Sequence, residues 1–120
     1  MRKITLTKIT CNSRSSGDAS DEVFVMYQSD GDVILRYPLT GHHSMDDGDS
    51  WTLPDGGLSF DFEAGAFISL WDDDFALDAI NAPDILGNKL FLNNWGGGDY
   101  DISGTNGASY TLTIKMANAD

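Results

Sequence analysis

Tyr110, Leu112, Ile114 and Met116 alternate with Thr111, Thr113 and Lys115, a strict two-residue period that predicts a half-buried β-strand over 110–116. Near the start of the chain Ile4 and Leu6 keep the same period, but Ile9 and Cys11 fall out of phase with them. A β-bulge near Thr7 and Lys8, inside a strand over 4–11, accounts for the slip. Leu58, Phe60 and Phe62 alternate with Ser59 and Asp61, and an apolar run over 66–71 follows Gly65, which predicts a hairpin around Glu63-Ala64-Gly65. Segments 23–29 and 33–37 flank Asp30-Gly31, the strongest short-range signal for a tight hairpin turn. Weaker strands are predicted at 50–53, 89–93 and 100–102. Helical periodicity is hard to find; only 75–82 has room for a single helical turn, ahead of Pro83.

About eight or nine short strands, cut apart by Gly, Asp, Asn and Ser clusters, predict an all-β fold: an antiparallel two-sheet β-sandwich. At 120 residues the chain is expected to be a single domain, 1–120, with one core. The composition, 41% hydrophobic and 11% aromatic, is that of a packed interior rather than a disordered chain. No apolar run approaches the ~18 residues of a membrane span, and the charged N-terminus lacks the apolar stretch of a Sec signal peptide. A cytoplasmic location, or export by another route, fits those two features. Cys11 is the lone cysteine; it cannot form an internal disulfide, and its place in an apolar alternation marks it as core.

Charge narrows the function. Nineteen acidic residues against seven basic give a net charge of −12. Nucleic-acid binding needs a basic footprint, and adsorption to anionic lipid needs basic clusters, so both are disfavoured. The acids are nearly all Asp, with Glu22 and Glu63 the exceptions. Asp is the poorer helix former and belongs in turns and around metals.

Two groups of acids stand out. The apolar run Phe67-Ile68-Ser69-Leu70-Trp71 ends abruptly in Asp72-Asp73-Asp74, and Asp84 opens the next apolar segment. Adjacent carboxylates at a strand end repel one another unless a cation stands between them, and dense hard oxygen ligands suit Ca²⁺. A second group, Asp18, Asp21 and Glu22, lies between the first two predicted strands. In a sandwich, loops that follow alternate strands gather at one end, so the two groups can form one site. Asp18, Asp21, Asp72, Asp74 and Asp84, with Asp78 in place of a water and backbone carbonyls completing the set, supply the 6–8 oxygens that Ca²⁺ takes. Alternation turns Asp73 away from Asp72 and Asp74.

These residues carry a resemblance. Leu70-Trp71-Asp72-Asp73-Asp74 running to Asp84-Ile85-Leu86-Gly87 resembles the third calcium loop of C2 domains, the calcium-dependent membrane-binding modules of protein kinase C and synaptotagmin. Ser20-Asp21-Glu22-Val23-Phe24-Val25 is similar to the segment that ends their first calcium loop. The resemblance implies a C2-like sandwich in which Asp21, Asp72, Asp74 and Asp84 match ligand positions and Asp18 matches one loosely. Three features depart from the family: the third loop is about four residues longer, Glu22 stands where a proline is usual, and the lysine-rich strand that binds acidic phospholipid has no counterpart. Calcium binding therefore carries over and binding of anionic membrane without Ca²⁺ does not. The whole chain also resembles small bacterial C2-like proteins of unassigned role.

Other chemistry finds less support. Ala76 and Leu77 break an EF-hand reading of the Asp72 run, and Gly96-Gly97-Gly98 is followed by no Lys-Ser/Thr of a phosphate loop. His42 and His43 are adjacent in a turn with Asp46, Asp47 and Asp49 nearby, and neighbours in extended chain point different ways. No serine or cysteine has the setting of an activated nucleophile, so an enzyme is not expected. Trp95 and Tyr100 read either as a hydrophobic plug at the sandwich end or as a stacking platform of a carbohydrate-binding module. The expected function is a Ca²⁺-binding module that presents a Ca²⁺-dependent surface to a protein or glycan partner. The alternative is a metal-free acidic interaction protein, such as an inhibitor, immunity or effector-accessory protein, that docks on a basic surface.

Overall fold

A computed structural model describes residues 1–15, 20–73 and 84–119, and of Asp84 the backbone alone. Its centre is the alternating C-terminal segment, strand β10 (Ser109–Asn118), which lies between β1 (Arg2–Ser13) and β9 (Gly98–Ser103). The bulge in β1 falls at Thr7, where the register jumps from Leu6 opposite Ile114 to Lys8 opposite Thr113. Thr7 donates its hydroxyl to the Thr113 carbonyl, 3.1 Å, and its own carbonyl accepts from Leu53 N–H, 3.0 Å. The extra residue sends Ile4, Leu6, Ile9 and Cys11 all into the core, where each is fully buried. It also divides the flank of β1: the part before it pairs with β6 (Leu58–Phe62), the part after it with β5 (Ser50–Thr52).

The second sheet repeats this plan. β2 (Asp21–Ser29) has β7 (Gly65–Asp72) on one side, followed by β8 (Asp84–Leu92). Its other side is shared by β3 (Leu35–Tyr37) and β4 (His43–Met45). All pairings are antiparallel, and the two sheets enclose a core that includes Val23, Val25, Phe62, Ile68, Leu70, Leu86, Phe91 and Leu112. The two-sheet antiparallel sandwich is as expected, with ten strands among the described residues rather than eight or nine. The added strand is β4, whose single buried residue, Met45, gives too little apolar signal to read. The proposed helical turn at 75–82 lies outside the described residues.

One expectation is corrected. Glu63-Ala64-Gly65 does not close a hairpin: β6 belongs to the sheet of β1 and β7 to the sheet of β2, so the segment crosses from one sheet to the other. Asp30 fastens the crossover. Asp30 and Gly31 occupy left-handed backbone, φ 52° and 76°, in a tight turn closed by Asp32 N–H to Ser29 C=O, 2.8 Å. From that turn the Asp30 carboxylate accepts the N–H groups of Glu63, Ala64 and Gly65 at 2.7–2.9 Å. Alternation shows that 58–62 and 66–71 are strands but says nothing of their partners.

The outer faces of the two sheets differ. On the first, polar pairs run across the strands: Thr5 with Ser59, Asn12 with Thr111, Thr111 with Asp101, and Thr113 with Asp99, at 2.7–2.9 Å. On the second, apolar residues such as Phe24, Met26, Phe67 and Trp71 take the outward positions between inward Val25, Ile68 and Leu70. That is why 23–27 and 66–71 read as almost continuous apolar runs. Among the described residues no helix is long and apolar enough to cross a membrane.

Candidate functional site

Three predicted ligands come from neighbouring strands of the second sheet at one end of the sandwich. Asp72 is the last residue of β7 and stands directly across from Asp84, the first residue of β8. On its other side Asp72 faces Val23, two residues after Asp21, which opens β2. Residues 16–19, with Asp18, lead into β2, and 74–83, with Asp74 and Asp78, join β7 to β8; Asp18, Asp74 and Asp78 lie outside the described residues.

Asp21 is fully buried. Its Oδ2 accepts from Ser15 N–H, 2.9 Å, and from the Tyr110 hydroxyl, and its Oδ1 accepts from the Ser15 hydroxyl. Burial, followed by the bond to Asp21, holds the Tyr110 hydroxyl far above its ordinary pKa, so it stays a donor at any working pH. The Cys11 thiol beside it is also raised, chiefly by burial, against a lowering hydrogen bond from Tyr110. Sequence reasoning placed Asp21 but missed Ser15 and Tyr110. The available signal was a lone tyrosine in an otherwise aliphatic inward stripe, because a buried phenol needs a polar partner. Asp72, 2% exposed, uses Oδ1 to accept Glu22 N–H at 2.8 Å, and Asp73 N–H reaches the Glu22 carbonyl at 2.6 Å. These bonds carry the β2–β7 ladder to the rim and fix the strand ends that bear the acids.

Asp73 turns away from Asp72, as alternation requires. Its carboxylate lies 3.5 Å from Arg36 and 3.5 Å from His42 Nδ1. Arg36 sits 4.1 Å over the Phe24 ring and also donates to the carbonyls of Pro38 and Gly41, so Asp73 helps to fasten the loop after β3. His42 and His43 diverge: His43 stacks on Trp51, ring centroids 4.5 Å apart, while His42 faces Asp73 and Glu22. Asp46 and Asp47 hold Arg14 through its guanidinium and its backbone N–H, and Asp49 accepts Asp46 N–H. At the sandwich margin Trp95 stacks on Tyr100 at 5.8 Å, and both meet Phe91 edge-on. The two rings are half-buried and close over the core beside Phe91, the arrangement expected of a plug.

The donor set at the rim is carboxylate oxygen, which suits a hard cation. A carboxylate offers about four lone-pair directions, so Asp21, accepting three bonds, keeps one. Among the described residues no three His, Cys, Asp or Glu side chains group closely enough to hold an ion.

Comparison of the sequence with protein-family models and with curated proteins gives no match. Among solved structures, one described as a C2 domain superposes with a TM-score of 0.68 at 14% identity, covering 98% of this chain and 99% of that one. A C2 domain of a plant extended synaptotagmin superposes with a TM-score of 0.51 at 8% identity, covering 99% and 95%. The chain is a C2-like β-sandwich.

Proposed function

We propose that the protein is a non-catalytic binding module that takes up Ca²⁺ at the acidic end of the sandwich and then presents that end to a protein or glycan partner. One observation carries the reading: Asp72 and Asp84 face each other across β7 and β8, beside the start of β2 with Asp21. Like charges directly opposed on paired strands are destabilising, and a divalent cation reverses the sign of that interaction. Asp21 and Asp72 supply oxygens from fixed strand ends, and Asp18, Asp74, Asp78 and Asp84 complete the set. Bound calcium neutralises the rim, and the altered charge is what a partner recognises.

The test is calorimetric titration of CaCl₂, with MgCl₂ as control, into metal-free wild type and into the Asp72→Asn/Asp74→Asn double variant. Calcium-selective binding in the wild type that disappears in the variant supports the proposal. Equal calcium affinity in the two proteins, or no calcium-selective binding in the wild type, refutes it.

A further inference from the structure

We infer that the outer face of the second sheet is a calcium-independent docking surface for a cationic amphipathic segment of a partner protein. The face is apolar through its middle. The registers set Gln28 beside Phe67 and Phe67 beside Leu90, while Phe24, next to Trp71, is buried under the Arg36 guanidinium. On β8, Leu90 and Leu92 are 52% and 41% exposed, and Ile34, just ahead of β3, is 59% exposed. Between Ile34 and β7 lies a groove of about 120 Å³, lined by Met26, Tyr27, Gln28, Ile34, Phe67, Ser69 and Trp71. A cavity of about 150 Å³ holds one benzene, so the groove is sized for one large apolar side chain. Its floor is fixed, since Trp71 Nε1 donates to Ser69 Oγ at 2.9 Å and Ser69 donates to the Met26 carbonyl. Contiguous exposed apolar surface rimmed by polar residues marks an interaction site.

Charge decides the occupant. Glu22 and Asp73 stand at one end of this face, and Asp32 and Glu63 at the other, around the β2–β3 turn and the β6–β7 crossover. Among the described residues Arg36 is the cation of the face, and it is held by Asp73 and two carbonyls. Lys89 instead carries its ammonium over Trp95 at the sandwich margin. An apolar strip with acidic ends complements a segment with apolar anchors and basic flanks. A second copy of the chain, at net charge −12, is repelled, as is an anionic bilayer.

The experiment uses a dansyl-labelled amphipathic peptide of leucine and lysine, read by anisotropy in EGTA and again in CaCl₂. Because the inference does not rest on calcium, its outcome is separable from that of the calcium titration. The expected result is binding of similar strength in both buffers, weakening with salt, and absent for a leucine–glutamate peptide. Ile34→Asp lowers the affinity about tenfold although it adds negative charge, and Thr111→Ala on the opposite sheet leaves it unchanged. Undiminished binding by Ile34→Asp overturns the inference, since charge alone would then account for the complex. Equal binding of the leucine–glutamate peptide, or sedimentation of the protein with neutral phosphatidylcholine vesicles, overturns the assigned occupant and with it the proposal.

Discussion

At the end of the sandwich where the β2–β3 turn meets the β6–β7 crossover, the Asp30 carboxylate gathers three backbone N–H groups from Glu63, Ala64 and Gly65. At the opposite rim, Asp72 stands across from Asp84, and Asp21 begins the adjoining strand. The first end surrounds an anion with donors, so the charge ties two segments together and needs nothing from outside. The second brings two acidic positions into register at neighbouring strand ends. Identical side chains thus hold the fold at one end and, in the proposed function, wait for a cation at the other. Asp21 belongs to both kinds, since Ser15 and Tyr110 bind it while its place on β2 brings it to the rim.

Variants at the two ends break this contrast in different ways. The largest effect is expected from Asp21→Ala, which strands the Tyr110 hydroxyl and both Ser15 donors in a buried site. The loss is about 3 kcal/mol by denaturant unfolding in EGTA, and CaCl₂ does not restore it. Asp30→Ala should cost about 0.5–1 kcal/mol after solvent screening of an exposed carboxylate, equally with and without calcium.

The acid limb sharpens the second case. The three N–H groups, Glu63 first, hold the Asp30 carboxyl below the usual carboxylate pKa. A depressed native pKa contributes stability that is present above the unfolded value of about 3.9 and is lost as pH falls through the native one. Melts between neutral pH and strong acid should therefore show a decline below about pH 4 that is shallower in Asp30→Asn.

Asp72→Asn is predicted to act with the opposite sign. The amide Oδ1 still accepts Glu22 N–H while the charge at the position in register with Asp84 is gone. Stability in EGTA should hold or rise by up to ~0.5 kcal/mol, and the response to calcium should shrink. The smallest effect is expected from thiol reagents on native protein. Cys11 is fully buried with a raised pKa, so it should react only as fast as the chain unfolds.

Much of the fold was legible in residue patterns. The phase slip between Leu6 and Ile9 announced the Thr7 bulge, and Asp30-Gly31 announced its turn, because both depend on local geometry. Partner choice was not legible: the alternation over 58–62 is the same whether Phe62 leads into a hairpin or across to the other sheet. The crossover shows only in contacts distant along the chain, the pairing of β6 with β1, that of β7 with β2, and the reach of Asp30 over more than thirty positions, which no local pattern records. Strand β4 was missed because its pairing with Asp21, Glu22 and Val23 rests on backbone bonds rather than apolar side chains. At the candidate site, the abrupt end of the Phe67–Trp71 run located Asp72, and the next apolar run located Asp84. The partners of Asp21 were hidden because Ser15 and Tyr110 lie in different parts of the sequence and meet only in the folded core.

Calcium binding at the rim is tested most directly by a thermal melt of wild type in EGTA, in millimolar CaCl₂ and in millimolar MgCl₂. At about 100 times its dissociation constant one bound ion adds ~2.7 kcal/mol, a rise of several degrees in Tm. Tm should rise with calcium and not with magnesium. Superimposed melts in all three buffers would contradict that, leaving Asp21 and Asp72 as buried acids that only hold the fold through Ser15, Tyr110 and Glu22.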